Sequence, residues 1–268
     1  MEPQEVIFLY IKNLFIGLYE HKYLLQELVT TTVKKRYRRS VLGVVWSVLN
    51  PLLTMLVTAL IFSGVFRADI ENYLLYVLSG QIIYNFFVES TSVGMQSVIA
   101  NSSLIKQVRV PKYIFPLASV SASCVNLLFS LPALILILLA TGAKLHFAIL
   151  SFVVPLFILL LFCIGCSFFL ATVAIFFRDI LSLYGIVTRL LFYVTPIFYP
   201  ATMLSEKRAA FVKFNPMFYF VNACRAPLYQ GVLPTLHQLV PCLVLAFVAI
   251  VLGSFVFIKN QNKFILYV

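Results

Sequence analysis

Six long apolar runs, each free or nearly free of charge, constrain this chain more than any other feature of its sequence. About 20 apolar residues suffice for a helix to cross a bilayer, and each run has room for one helix with some tilt. The runs lack the apolar–polar alternation of membrane strands. We therefore predict an all-α integral membrane protein with six spanning helices. The runs are Val41–Phe66, Tyr73–Ile105, Tyr113–Ala143, Leu145–Phe177, Ile180–Leu204 and Thr235–Ile258.

The overall composition agrees with a membrane protein. Apolar residues make up 62% of the chain and charged residues 11%, whereas a soluble domain is about half apolar and a quarter charged. We expect three parts along the chain. They are a cytoplasmic amphipathic segment at 1–40, a six-span membrane domain at 41–258 and a cytoplasmic tail at 259–268.

Basic residues indicate on which side of the membrane the loops lie. A basic cluster at 34–39 precedes the first run, and the link at 106–112 carries three basic residues and no acid. The positive-inside rule places both termini and this link in the cytoplasm. The net charge of +11 is mostly this topology signal, and no compact basic face with base-stacking aromatic residues points to nucleic acid. Basic residues after the fifth run oppose the assignment, but early loops carry more weight. They are Lys207, Arg208, Lys213 and Arg225.

Residues 22–40 are predicted to form an amphipathic helix that lies flat in the headgroup plane. Its apolar stripe is Leu25, Leu28, Val29, Thr32, Val33 and Tyr37. The helix is either a positive-inside anchor or a lever on the cytoplasmic surface, and the sequence leaves both open. The candidate residues of this interface helix are Lys34, Lys35, Arg36, Tyr37, Arg38 and Arg39.

The link between the second and third runs is short, polar and basic. Ser102 or Ser103 is expected to cap a helical turn, and Pro111 is expected to end it. A stiff knob at this place can transmit motion from a partner, whereas the alternative is an ordinary solvated loop. The candidate coupling residues are Ser103, Leu104, Lys106, Gln107, Val108, Arg109 and Pro111, with Arg178 and Asp179 at a helix end on the same side.

Three polar features interrupt the apolar runs. Glu89 and Arg189 are the only charges inside the second and fifth runs, and a lone charge at mid-membrane costs roughly 2.5–3.5 kcal/mol. We predict that one or both face a pore or a subunit seam; the alternative is that each reaches an interface by snorkelling. Whether they pair is left open. Asn50-Pro51 removes a backbone donor from the first span and predicts either a simple kink or a break that lets the span move.

Several motifs recur in a specific order along nearly the whole chain. Together they resemble the permease subunit of type-2 ABC exporters, in particular those for O-antigen, capsule and related lipid-linked polysaccharides. The motifs are Arg36-Tyr37-Arg38-Arg39-Ser40, Leu42-Gly43, Trp46-Ser47-Val48-Leu49-Asn50-Pro51, Leu104-Ile105-Lys106, Val110-Pro111, Phe176-Phe177-Arg178-Asp179, Thr195-Pro196-Ile197-Phe198-Tyr199-Pro200 and Asn215-Pro216.

The resemblance implies a homodimer in the bacterial cytoplasmic (inner) membrane, joined to two ABC ATPase subunits that hold ATP and Mg²⁺. Lipid-linked polysaccharide and membrane lipids are the other expected partners, and no cofactor is expected on this chain. The resemblance also implies that the link between the second and third runs is a coupling helix in contact with the ATPase. It implies that the helix before the first span gates the entry of the substrate. Two re-entrant helices are implied at 201–230, around Phe211–Ala223. The sequence contains no Gly-x-x-x-x-Gly-Lys, the motif that cradles nucleotide phosphates.

Aromatic side chains are the expected lining of the substrate path. They stack on the apolar faces of sugars without strong selectivity, so a polymer can slide; the alternative is that they face lipid or the membrane interface. The candidate residues of the path are Trp46, Asn50, Tyr84, Phe86, Phe87, Glu89, Arg189, Tyr193, Phe198 and Tyr199.

Other functions have less support in the sequence. A same-class exporter of teichoic acid, lipid or drug is the nearest alternative. A membrane glycosyltransferase or acyltransferase needs clustered acids, bases or nucleophiles, but the histidines are scattered and intramembrane carboxylates are sparse. A secondary transporter needs internal repeats or several midplane carboxylates. Cys163 and Cys166 lack a second ligand pair for a metal.

Overall fold

A computed structural model describes residues 20–38, 40–66, 70, 72–108, 110–142 and 146–267. These residues are mainly helical and form no strand, which confirms the predicted all-α class. The helices are α1 (Lys22–Tyr37), α2 (Val45–Phe66), α3 (Tyr73–Ala100), α4 (Ser102–Gln107), α5 (Ile114–Ala140), α6 (Val153–Phe176), α7 (Ile180–Val194), α8 (Glu206–Lys213), α9 (Pro216–Arg225), α10 (Leu236–Asn260) and α11 (Phe264–Tyr267). Short turns of 3₁₀ helix occupy Phe147–Phe152, Ala201–Met203 and Gln261–Lys263, and Ala226–Gln230 is a π-helical turn.

Each of the six apolar runs contains a helix, and four of the described helical segments are long and apolar enough to cross a membrane. These are Val45–Phe62, Ile114–Ala140, Phe147–Phe176 and Leu236–Tyr267. The chain is therefore a multi-pass membrane protein. The run from Ile180 was predicted to reach Leu204, but α7 ends at Val194. The reason is Pro196, which favours an extended conformation in the residue before it; Thr195 has ψ 130°.

α3 lies at the centre of the larger hydrophobic core and contacts α2, α5, α6, α7 and α9. It is long, but polar residues lower its hydropathy. Their side chains find partners inside the protein: the hydroxyls of Ser90 and Thr91 donate to carbonyls one turn earlier, and Gln81 donates to the Thr58 hydroxyl at 2.9 Å. Because buried polar groups must be paired in a membrane protein, α3 can carry them only where other helices surround it.

The segment after α7 owes its shape to Asn215-Pro216. The Asn215 side chain accepts a hydrogen bond from the backbone N–H of Met217 at 2.9 Å and caps α9. Its amide also donates to the Thr195 hydroxyl at 2.7 Å. Pro216 takes the first helical position, where its missing N–H costs nothing. One motif thus starts α9 and ties it to the end of α7.

α6 and α10 approach each other closely at two glycines. A Cβ placed on Gly253 would lie 2.0 Å from the Gly165 carbonyl oxygen, and one on Gly165 would lie 2.3 Å from the Ala249 carbonyl carbon. Small residues allow such backbone contact between membrane helices, where van der Waals packing drives association. No residue larger than glycine fits at this crossing unless the two helices move apart.

Replacing Gly165 by Val is expected to push α6 and α10 apart and to lower the thermal unfolding temperature of the purified protein in detergent. The matched control is Gly185→Ala on α7, where an added Cβ meets no atom within 4 Å. That control should leave stability unchanged or raise it by up to about 1 kcal/mol, since alanine favours helix over glycine. Equal unfolding temperatures for the wild type and Gly165→Val would contradict the packing described.

Candidate functional site

A polar cluster joins α1, α2, α3 and α5. The guanidinium of Arg36 donates to one oxygen of the Glu89 carboxylate, and the side-chain amide of Asn126 donates to the other at 2.8 Å. The carbonyl oxygen of Asn126 accepts from the Tyr37 hydroxyl and from the Ser47 hydroxyl at 3.1 Å. Each carboxylate oxygen of Glu89 therefore has a donor, which offsets the cost of placing this charge in an apolar helix.

The structure answers the question of whether the two in-span charges pair. The partner of Glu89 is Arg36 of α1, a residue 53 positions away in the sequence. Arg189 is exposed on α7 and makes no ion pair with any residue that the structure describes. Glu89 is thus a half-buried junction between helices, whereas Arg189 lies on the surface of the protein.

α1 packs lengthwise against α5. Leu28 packs against the core cluster that contains Phe115, near the start of α5, whereas the Tyr37 ring lies edge-on to Phe129 with centroids 6.4 Å apart. The helix therefore follows α5 for several turns instead of crossing it. Arg36 and Tyr37, near the end of α1, find polar partners on α3 and α5.

The burial of individual residues in α1 agrees with the predicted apolar and basic faces of this helix. The six residues of the predicted stripe are half-buried, whereas Lys34, Lys35 and Arg38 are exposed. The helix ends at Tyr37, three residues before the predicted end. Arg39 lies outside the described residues.

A cavity of about 440 Å³ opens beside the polar cluster. Four residues predicted for the substrate path, Trp46, Asn50, Phe86 and Glu89, line it together with Arg36 and Tyr37 of the interface helix. The sequence interpretation missed several further polar residues of its wall. Their signal was the presence of amide or hydroxyl groups within apolar runs; they include Thr54, Asn85, Ser123, Asn126 and Ser130.

The other aromatic residues predicted for the substrate path do not line this cavity. Tyr84, Phe87 and Phe198 are buried in the core of the subunit. The Tyr84 hydroxyl donates to the Thr188 carbonyl, and Phe87 and Phe198 stack on other core rings. Tyr193 is 62% exposed on α7, and the half-buried Tyr199 donates to carbonyls at the end of that helix.

The link between α3 and α5 forms the short helix α4, which the sequence anticipated. Its cap differs from the prediction. Asn101 is the N-cap, with its side chain turned back to the Ser97 carbonyl at 2.7 Å, so Ser102 and Ser103 lie inside the helix. α4 ends at Gln107, and the extended Val108 leads to Pro111. Arg109 lies outside the described residues.

α4 presents one face to the protein and another to its surroundings. Ile105 is buried in a second core cluster with residues of α6 and α10, and Leu104 packs against that cluster. The exposed residues are Ser103, Lys106, Gln107 and Val108. Arg178 and Asp179 are exposed in the turn after α6, whose Ile175 belongs to the same cluster as Ile105. The predicted coupling residues that the structure describes thus lie at one end of the bundle.

The C-terminal segment fixes this link. The ammonium of Lys112 donates to the Gln261 carbonyl at 2.6 Å and lies 5.9 Å from the centre of the Phe264 ring. Burial lowers the pKa of Lys112. Phe264 is fully buried in the second cluster, so the tail, the link and the end of α10 form one packed unit.

The sequence placed Arg225 on the outer side of the membrane, within the segment 201–230; the structure buries it inside the protein, with 3% of its surface exposed. Its guanidinium donates to the carbonyls of Pro196 and Ile197 at 2.6 and 2.7 Å and to that of Tyr76 at 3.2 Å. It also lies 3.7 Å from the centre of the Tyr76 ring, close enough for a cation–π contact. Gly80 leaves room for it, since a Cβ there would lie 2.4 Å from the guanidinium. Arg225 therefore holds α9 against α3 and the turn after α7.

Comparison with known proteins places this arrangement in a family. The profile of the ABC-2 type transporter family matches residues 23–229, which include α1, the cavity, α4 and Arg225. The chain belongs to the ABC-2 type transporter family. Among curated proteins it is similar to the O-antigen export system permease protein RfbA of Myxococcus xanthus, with 30% identity over 92% of this chain and 96% of that protein. Two such proteins of Klebsiella pneumoniae match at 30% over 92% of this chain and 96% of the relative, and at 32% over 80% and 85%.

In this ABC-2 transporter, Arg225→Met is expected to remove a donor from three buried carbonyls and to lower the unfolding temperature in detergent. The carbonyls of Pro196 and Tyr76 keep a hydroxyl donor, whereas that of Ile197 loses its side-chain donor, and an unpaired buried group costs about 1–3 kcal/mol. Arg225→Lys should restore only part of the loss, because an ammonium cannot reproduce the planar fork of donors. The matched control is Arg208→Met on α8, where the arginine is exposed. A stability of Arg225→Met equal to that of the control would exclude the bracing role.

Proposed function

We propose that this chain is the membrane subunit of an ATP-driven exporter that moves a lipid-linked polysaccharide, of O-antigen or capsule type, across the bacterial cytoplasmic membrane. The observation that carries the proposal is its similarity, over nearly its whole length, to proteins named as O-antigen export permeases. Family membership supports a transport role and an ATPase partner. ATP and Mg²⁺ are bound by that partner.

The proposed contact with the ATPase is the exposed face of α4, with Arg178 and Asp179 beside it. Ile105 anchors α4 in a cluster shared with α6 and α10, and Lys112 ties it to the tail. A surface segment that is packed rigidly on several spans can pass a displacement on to all of them, because packed interiors deform little. Two ATPase subunits bind, one on each copy of this chain.

The proposed topology has six spans, with α3 and α7 crossing beside the four segments already described. Both termini and α4 are then cytoplasmic, as the positive-inside rule requires. α8 and α9 enter the outer side of the membrane without crossing it, held there by Asn215 and Arg225. The domain limits proposed from this topology are 1–40, 41–258 and 259–268.

Two copies of the chain form the proposed transporter. α2 and α7 carry large exposed apolar side chains, among them Leu56 and Leu60 on α2 and Leu190 and Tyr193 on α7. A dimer that buried these faces would place Arg189 at the seam or in the path between subunits, where a lone charge has polar neighbours.

The proposal is tested by reconstituting the chain in proteoliposomes with its ATPase and a labelled lipid-linked glycan. ATP-dependent movement of the glycan is expected, and the purified chain alone should hydrolyse no ATP. Nucleotide hydrolysis by the chain alone would refute it. So would transport driven by a proton gradient without ATP.

Lys106→Glu is expected to weaken ATPase binding and to reduce export at least tenfold, because it reverses the charge on the exposed face of α4 without touching the buried Ile105. The matched control is Lys207→Glu on α8, an exposed position that the proposed topology places on the opposite side of the membrane. Export is measured as cell-surface polysaccharide at equal protein levels. A defect of equal size in the control would count against α4 as the contact.

Arg189→Leu is expected to reduce export while leaving the folded protein intact, because Arg189 is exposed and makes no ion pair among the described residues. Size-exclusion chromatography in detergent checks folding, and surface polysaccharide reports export. Normal export by a well-folded Arg189→Leu protein would remove Arg189 from the path.

A further inference from the structure

The cavity beside the polar cluster has a balanced charge. Arg36 and Glu89 are the charged residues in its described lining, and they neutralise each other. A site for phosphate or another anion is expected to present uncompensated cations or backbone N–H groups. The carboxylate of Glu89 instead repels an anion, so the lining favours a neutral ligand.

Two uncommitted polar groups of the cavity are amides. Asn50 and Asn85 are exposed, line the cavity and make no side-chain hydrogen bond with another described residue. A primary amide offers two donors and one acceptor with two lone pairs. Two such amides can form hydrogen bonds with the hydroxyl groups of a ligand, because a hydroxyl both donates and accepts.

An aromatic face completes the wall. Trp46 is 46% exposed and lines the same cavity. An indole combines a flat apolar surface with one N–H donor. The cavity volume of about 440 Å³ falls within the range of about 300–1,000 Å³ in which small-molecule sites occur.

We propose that this cavity binds one neutral sugar unit, with its ring against Trp46 and its hydroxyls hydrogen-bonded to Asn50 and Asn85. The ion pair of Glu89 with Arg36 and its hydrogen bond with Asn126 hold α1, α3 and α5 together around the cavity. The inference rests on the proposed function only in naming the sugar as part of an exported polymer. The site belongs to a single subunit and needs no second copy of the chain.

The chain provides its own probe, because Trp46 is its only tryptophan. The purified chain is placed in lipid nanodiscs without sugar-based detergent, and its tryptophan emission is titrated with neutral hexoses, N-acetylhexosamines and their disaccharides. At least one of these sugars is expected to shift the emission in a saturable way. Inorganic pyrophosphate serves as the anionic probe and should not.

Asn50→Ala and Asn85→Ala are each expected to raise the dissociation constant of the active sugar about tenfold, which corresponds to about 1.4 kcal/mol. The matched control is Asn260→Ala, whose amide bonds to the Val256 carbonyl outside the cavity. The control should bind like the wild type. Circular dichroism shows whether each variant retains its helices, and the conservative variants Asn50→Gln and Asn85→Gln replace any alanine variant that unfolds.

Three results would overturn the inference. They are the absence of a response to every sugar by folded protein, a response that survives in both cavity variants, and a response to pyrophosphate in place of sugar. The transport assay separates this inference from the proposed function. ATP-dependent export without sugar binding would refute the site alone, whereas sugar binding without ATP-dependent export would refute the proposed function alone.

Discussion

The rest of the structure depends on the requirement that charged side chains in the interior of the apolar bundle find polar partners. Glu89 shows the consequence most directly. Its carboxylate is placed in a helix that other helices surround, and it is compensated by Arg36 from outside the bundle and by Asn126 from α5. Arg36 thereby joins α1 to the bundle, and without α1 Glu89 would keep only the amide of Asn126 as a donor. The same requirement places Arg225 where three carbonyls converge.

The sequence predicted the helices well and their polar contacts poorly. A continuous apolar run can satisfy its backbone only as a helix, so each run contained one, and Pro196 accounts for the early end of α7. The stripe of α1 was also correct, because helical spacing is a local property. The partner of Glu89 and the burial of Arg225 were missed, since both depend on residues far apart in the sequence. A basic residue in a short loop and one that braces three carbonyls look alike in a single sequence.

At the opposite end from Arg225, packing joins segments that the sequence treated separately. Ile105 of the link, Phe257 of α10 and Phe264 of the tail share one buried cluster. Lys112 adds a hydrogen bond from the link to the tail. The tail is therefore a structural support for α4, which gives the last residues of the chain a role beyond ending the final span. A partner that presses on α4 acts on α6 and α10 as well.

The link is also covalently joined to two walls of the cavity. α3 carries Glu89 and runs into α4, and α5, which follows the link, carries Asn126. The distance from Glu89 to the end of α3 is about 16 Å at 1.5 Å per residue. Under the proposed coupling role, a displacement of α4 would be passed along α3 and α5 to both walls. α1 is attached to these walls only through side chains. The Arg36 side chain is 43% exposed, so its ion pair contributes about 0–1 kcal/mol and separates easily. Motion at α4 can thus change the contact of α1 with the cavity, while the bond between Asn126 and Glu89 keeps α3 and α5 together.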